Sequence, residues 1–366
     1  MDPSVTARAP ADDPGWNNVA HLAGASAVYL GNRWVLTANH VGDGSITLSD
    51  GRSFAMVPGS SRQLANTGTA ALFGNPDLKM FRLVDDPGLP SLTINTSRPG
   101  TNTTLMMIGA GRDAEHGLQG WQLTNGANGF TWKATALPLA NATGFNLLPT
   151  SSMRWGTNDA AAGSLFANNT TVAFSTTFDR VGGNYEAQAA TGDSGGGVFQ
   201  KVNGQWQLAG IMVSQQLLSN QPSDTSVFGD QTYSADLSFY RAQINDLLTR
   251  ADSAWQNQAN YYDVNRSGSV TGIDVLLIIN DLTAHGIHPV SGTPGAGKGL
   301  LDVNGDGQIT SNDALRIINA LQGKTAEVAA VSTTSSLVPE PSSLALAGVA
   351  ITALTLVATR RRRRRT

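Results

Sequence analysis

The chain has 366 residues, of which 40% are hydrophobic and 14% charged, with 40 glycines, no cysteine and a formal net charge of −3. This length allows two or more domains with a sizeable core, and abundant glycine with few charges suits β-rich folding with many turns. The absence of cysteine excludes disulfides, and six of the 24 basic residues form a single terminal run, so the remainder is acidic and nucleic-acid binding is not expected.

Residues 1–14 are polar and carry no apolar stretch of the kind an export signal needs. From Ala27 to Thr37 the sequence reads as two short apolar strands joined by a Gly31-Asn32 turn, with His40 just past the second. A strand end presents an imidazole to solvent and substrate. The other histidines sit elsewhere: His21 before the first strand, His116 in a polar glycine-rich loop, His285 and His288 far downstream. Asp77 opens the apolar strand Leu78-Lys79-Met80-Phe81-Arg82-Leu83. A buried aspartate accepting from an imidazole Nδ1–H fixes the tautomer and stabilises the imidazolium. Asp85 and Asp86 fall in Asp-Asp-Pro-Gly, which is turn chemistry.

The run Thr191-Gly192-Asp193-Ser194-Gly195-Gly196-Gly197 carries the most information. A serine hydroxyl attacks only when a base takes its proton and donors hold the resulting oxyanion. Glycines around Ser194 let the backbone turn sharply and aim the amides of Gly192 and Ser194 into one space. The apolar stretch Leu208-Ala209-Gly210-Ile211-Met212-Val213-Ser214 follows, and further on Tyr233-Ser234-Ala235-Asp236-Leu237-Ser238-Phe239-Tyr240.

His40 after Thr37-Ala38-Asn39, Asp77-Leu78 and Gly192-Asp193-Ser194-Gly195-Gly196, in that order, resemble the trypsin/chymotrypsin family over roughly residues 15–250. The resemblance implies a mainly β fold of two six-stranded barrels. It also implies a serine endopeptidase acting on protein or peptide substrates, with His40, Asp77 and Ser194 as the triad and an oxyanion hole at Gly192 and Ser194. Gln188, six residues before Ser194, takes the pocket-base position and Ser214 lines the pocket wall. An uncharged base predicts uncharged side chains ahead of the cut. The chain departs from the family in lacking an Ile-Val-Gly-Gly start, whose freed amine would pair with Asp193, and in having Gln215-Gln216 where the family has Trp-Gly. A catalytically silent binding module, displayed through the domain that follows, is the alternative from another class.

A second domain, 251–324, holds two loops with the same spacing. In the first, Asp263, Asn265, Ser267, Ser269 and Asp274 offer oxygens around Gly268; in the second, Asp302, Asn304, Asp306, Gln308 and Asp313 do so around Gly307. Calcium prefers six to eight oxygen ligands, and this spacing wraps them around one ion. Each loop runs into a matching apolar stretch, Leu276, Ile278, Ile279, Asn280, Leu282 against Leu315, Ile317, Ile318, Asn319, Leu321. Aspartate at the twelfth position, without a full helix before each loop, resembles a type I dockerin over residues 261–323. That implies two calcium sites in a small α-helical domain and a cohesin partner; a stabilising spacer module is the alternative. The spacer segment Gly292-Thr293-Pro294-Gly295-Ala296-Gly297-Lys298-Gly299 nearly matches a phosphate-binding loop but lacks the Ser or Thr after lysine, and reads as a linker.

Residues 325–337 are mostly small and read as a second linker. Val338-Pro339-Glu340-Pro341, the apolar run 344–357 and six arginines at 360–365 complete the chain. The run is near the lower length for a membrane-spanning helix, and the arginines would remain cytoplasmic. Together these parts, 338–366, resemble a PEP-CTERM sorting signal. The resemblance implies an exosortase partner, at least transient residence in the inner membrane, and export to the envelope or exterior of a Gram-negative bacterium. An export signal is then expected upstream of residue 1 or already removed.

Overall fold

The computed structural model describes residues 3–66, 74–163, 165–181, 185–248, 254–257, 260–295, 298–305 and 307–329. Asp306 and everything from residue 330 on, including the sorting-signal segment, lie outside the described residues. The chain divides into two units, Met1–Gly323 and Lys324–Thr366.

The first barrel is built from β1 (Val19–Leu22), β2 (Ala25–Gly31), β3 (Trp34–Thr37), β4 (Ile46–Leu48), β5 (Ser53–Phe54) and β6 (Lys79–Arg82). They pair antiparallel in the order β5-β4-β1-β2-β3-β6, with the short strand Arg62–Gln63 added beyond β6. An antiparallel bridge from Met56, just past β5, to Leu83, just past β6, returns the sheet to its start. The positive φ of Asn32 (47°) and Arg33 (63°) turns β2 into β3, so the turn read from Gly31-Asn32 is present.

The second barrel uses β7 (Thr104–Gly109), β8 (Arg154–Asp159), β9 (Thr171–Thr177), β10 (Gly197–Val202), β11 (Gln205–Gln216) and β12 (Gln231–Asp236). Their order is β8-β7-β10-β11-β12-β9, with Leu165–Ala167 outside β9, and a bridge from Ala160 to Thr176 joins the ends. Each ring therefore contains the expected six strands. A further sheet of Gln119–Gly126, Gly129–Thr135, Ala142–Ser151 and Thr225–Val227, with Arg112–Ala114 beside it, was not legible in the sequence.

Strand alternation explains the two cores of the first barrel. Ala27, Tyr29, Val35, Phe81 and Leu83 meet Ala20, Leu22, Ile46 and Leu48 inside the ring. Val28, Leu30, Trp34, Leu36 and Met80 point the other way and join a second cluster that includes residues of the second domain. Both faces being buried is why β2 and β3 read as continuous apolar runs rather than as alternating ones. Leu105, Met107, Phe174, Val198, Ala209 and Met212 fill the second ring.

Helix α1 (Leu237–Leu248) closes the barrel region, burying Leu237, Tyr240, Ile244 and Leu247. Helices α2 (Gly272–His285) and α3 (Ser311–Ala329) follow the two calcium-loop sequences. The helix α3 thus runs five residues into the segment read as a linker from 325. Among the described residues no helix is long and apolar enough to cross a membrane.

The second domain is fastened to the first barrel by Tyr261, which is fully buried. Its ring lies 6.2 Å from that of Trp34, and its hydroxyl accepts from Arg82 Nη1 at 3.4 Å. Arg82 in turn lies over Trp34, 5.9 Å from the ring centroid, and Arg62 lies 5.5 Å from the centroid of Tyr261. Arg316 on α3 pairs with Asp246 on α1, tying the same two parts at a second point.

Candidate active site and calcium loops

Thr37 ends β3 and the chain then makes a single 3-10 turn, Asn39–Val41, which projects His40 with half its side chain exposed. Asp77 precedes β6, the neighbour of β3, so the pairing of Thr37 with Lys79 brings the two together. The Asp77 carboxylate grips His40 twice. One oxygen accepts the His40 backbone amide at 2.8 Å, and the other lies 2.6 Å from Nδ1. The Asp77 amide donates to the buried Thr171 hydroxyl of the second barrel at 2.8 Å, which fixes the carboxylate from behind. The hydrogen bond that His40 donates to Asp77 raises the His40 pKa above its usual 6.5, against partial burial. Asp86 is engaged elsewhere: it accepts from the Tyr29 hydroxyl and caps its own turn at Gly88.

Ser194 sits in the loop before β10, and Ser26 of β2 holds that loop. The Ser26 amide donates to the Ser194 carbonyl at 2.9 Å, and its hydroxyl donates to the Gly192 carbonyl at 2.9 Å. The same hydroxyl accepts from the Ala110 amide, and the Ser26 carbonyl accepts from Thr37 Oγ1 at 2.8 Å. A continuous hydrogen-bonded path thus joins the Ser194 loop to the strand that delivers His40. Gly195 has φ +86°, and a Cβ there would stand 1.9 Å from the Ser26 carbonyl oxygen, so only glycine permits this approach.

Within the loop the amides divide into two sets. Those of Asp193, Gly195 and Gly196 donate to Ala190, Met212 and Asp193 carbonyls. Among the described residues, those of Gly192 and Ser194 donate to nothing. Two unengaged backbone donors flanking a serine are what an oxyanion requires. Ser194 Oγ makes no hydrogen bond to His40 among the described residues, and catalytic hydrogen bonds of this kind often tighten only when substrate is bound.

Asp193 is held by amides where the resemblance would put a freed N-terminus. Its carboxylate accepts from Gly111 and Ala190, each at 2.8 Å, in a space that exists because residues 109 and 111 are glycines. Burial pushes its pKa up to about 6, against the pull of those two donors.

An open pocket of about 220 Å³ adjoins Ser194, walled by Ala189–Gly192 on one side and Met212–Gln215, Ser214 included, on the other. Gln188 does not line it, which corrects the expectation that it forms the base. Its amide is satisfied on β12, donating to the Gln231 carbonyl and accepting from Thr232, so it faces a separate cavity of about 310 Å³ that Asp193 and His116 also line. Gln215, whose amide donates to the Ala189 carbonyl, joins the two walls instead. Sequence reasoning assigns no site role to Ser26, Thr37, Thr171 or Gln215. For Ser26 and Thr37 the one available signal was a hydroxyl residue within an otherwise apolar strand.

The described residues of the two calcium-loop sequences make matching hydrogen bonds. Gly268 donates to Asp263 at 2.8 Å and Gly307 to Asp302 at 3.1 Å. Asn265 donates to Asp274 at 3.3 Å and Asn304 to Asp313 at 3.1 Å. Asp274 and Asp313 also accept the amides of Thr271 and Thr310, each at 2.9 Å, so the twelfth loop residue both closes the loop and caps the helix that follows. Asp263, Asp274, Asp302 and Asp313 are all buried. Neither Asp263 nor Asp274 pairs with a basic side chain among the described residues. Two carboxylates enclosed in one loop with only amide and hydroxyl donors fit a bound cation. Asn265, Ser267 and Ser269 belong to the same loop, and Ser267 uses its hydroxyl on the Ser269 carbonyl. Gln308 lies in a two-residue strand paired with His288–Pro289. Among the described residues no three acidic, histidine or cysteine side chains converge on one point, so the oxygens of Asn and Ser would have to complete the set.

Residues 261–322 match the family model of the Dockerin type I domain, and this segment is such a domain, which supports calcium as the ion. No curated protein sequence matches the chain. Among solved structures, the chain is similar to neuropsin, a serine protease expressed in the limbic system of mouse brain, at 15% identity and a TM-score of 0.39, covering 64% of this chain and 96% of that one. It is also similar to a mutant of human heparin-binding protein at 13% identity and a TM-score of 0.41, covering 68% and 96%. The double barrel rests on the strand order and ring closure given above.

The hydrogen bond to Asp77 raises the His40 pKa, so its imidazole is expected to titrate above pH 6.5 when followed by NMR. Asp77→Asn removes the cause of the rise and moves the titration to lower pH. An unchanged titration contradicts the pairing.

Proposed function

We propose that this protein is an exported serine endopeptidase carrying a calcium-loaded docking module. Ser194 attacks the peptide carbonyl while His40 takes the hydroxyl proton and returns it to the leaving amine. Asp77 holds the Nδ1–H and stabilises the imidazolium, and the amides of Gly192 and Ser194 receive the charge on the tetrahedral oxygen. Water then releases the acyl group by the same steps in reverse. The observation that carries this reading is the pair of unengaged amides flanking Ser194, in a loop hydrogen-bonded to the strand that ends at the His40–Asp77 pair.

The dockerin domain supplies no chemistry to the cut. It holds two calcium ions, one in each loop, and offers a docking face to a cohesin. Calcium there fixes loop geometry and helix starts through Asp274 and Asp313. The tail, 338–366, acts as a sorting signal of the PEP-CTERM type: the apolar run halts in the inner membrane with the arginines inside, and an exosortase cleaves near the Pro-Glu-Pro sequence. This leaves the catalytic domain outside the cytoplasm.

Three outcomes test these statements. The protein cleaves internally quenched peptides, and Ser194→Ala lowers the rate by at least about 10³-fold; equal rates for the two proteins contradict the enzyme. Calorimetric calcium titration of the full chain gives two steps, the tighter one belonging to the second loop. That loop offers Asp302, Asp306 and Asp313 against Asp263 and Asp274 in the first. Asp306→Ser weakens the tighter step, whereas a single step untouched by this change refutes the assignment. For the tail, intact-mass measurement of protein from its native host gives a C-terminus near 339–341. A chain ending at Thr366 and released only by detergent identifies a plain anchor.

A further inference from the structure

The pocket at Ser194 has an unusual cross-member. Its walls are two backbone stretches, Ala189–Gly192 and Met212–Gln215, and its nine lining residues include none with a charge. Gln215 lies on β11, where its backbone pairs with Thr232, and its side chain reaches the opposite wall to donate from Nε2 to the Ala189 carbonyl. Ala189 is buried and its own amide is bonded to Thr232 Oγ1 at 3.0 Å, so the accepting side of the bridge is fixed. Behind it Gln188 is likewise fixed, on Gln231 and Thr232. The Gln215 amide and the Ala189 carbonyl thus form a bridge from one wall of the pocket to the other.

Resting on the endopeptidase reading, we infer that Gln215 sets the depth of the pocket and restricts the residue ahead of the cut to small uncharged side chains, of the size of alanine, serine or valine. A long apolar side chain must displace the Gln215 amide and leave the Ala189 carbonyl without a donor, a loss that polar desolvation makes unfavourable. A lysine or arginine meets the same obstruction and finds no carboxylate among the lining residues. Selectivity here comes from exclusion, since uncharged walls offer a small side chain little beyond close packing.

The test compares kcat/KM on peptides identical except for alanine, valine, phenylalanine or lysine ahead of the scissile bond, using the full-length protein, Gln215→Gly and Gln215→Asn. Wild type is expected to favour alanine and valine over phenylalanine and lysine by at least about 10-fold. Gln215→Gly raises the phenylalanine-to-alanine ratio by about 10-fold or more, while lysine remains disfavoured. Gln215→Asn, too short to reach Ala189, moves the ratio in the same direction. A wild type that prefers phenylalanine or lysine, or a ratio unmoved by Gln215→Gly, overturns the inference while leaving the endopeptidase intact. No cleavage sensitive to Ser194→Ala overturns the endopeptidase, and the inference with it.

Discussion

Ser26 is the residue through which the two barrels agree on one site. With its amide, hydroxyl and carbonyl it engages Ser194, Gly192, Ala110 and Thr37, and it has no exposed surface. Those partners lie in three separate stretches: the nucleophile loop, the turn after β7, and the end of the strand preceding His40. Removing a buried hydroxyl that satisfies two backbone groups costs about 1–3 kcal/mol for each group left unpaired, so the constraint is strong for a single small side chain. It works only because Gly195 allows the loop to lie against the Ser26 carbonyl and because Gly109 and Gly111 leave room for the Asp193 carboxylate beneath. The loop is thereby pinned from both sides, and its two unengaged amides are held in place before any substrate arrives.

The second constraint is aromatic and cationic. Tyr261, Trp34, Arg82 and Arg62 form one stack at the base of the dockerin domain, and Tyr261 stands two residues before Asp263, the first carboxylate of the first calcium loop. The apolar faces of both domains belong to one cluster that takes in Val28, Leu36, Val264 and Ile317. The segment read from the sequence as a second domain is therefore packed on the first barrel. Its helices nevertheless keep outward apolar side chains, with Ile273, Leu276 and Leu315 each more than half exposed.

Sequence pattern reached the parts of this molecule that chemistry makes local. The glycine-flanked serine, the histidine at a strand end, the carboxylate opening an apolar strand and the repeated Asp-Asn spacing are each confined to a dozen residues or fewer. The hydrogen bond between His40 and Asp77 follows from two strand ends pairing side by side. What was not legible depends on contacts between distant segments. Gln188 was given the pocket base by its distance from Ser194, but its amide is drawn to Thr232 and Gln231, residues far along the chain. Gln215 was noted only as a departure, because nothing local reveals that its side chain spans to Ala189. The extra sheet built on Gln119–Gly126 and Gly129–Thr135 escaped because its exposed hairpin has little apolar alternation.

The central claim is that Ser194 is a nucleophile already provided with its oxyanion donors. A fluorophosphonate probe reports this directly, since its phosphoryl oxygen must occupy the site that the Gly192 and Ser194 amides frame. Incubating the full-length protein with the probe and mapping the adduct by peptide mass spectrometry is predicted to give one modified residue, Ser194. The modification should be lost in Ser194→Ala and slowed in Asp77→Asn. A protein that stays unmodified, or that is labelled equally well when Ser194 is alanine, contradicts the account.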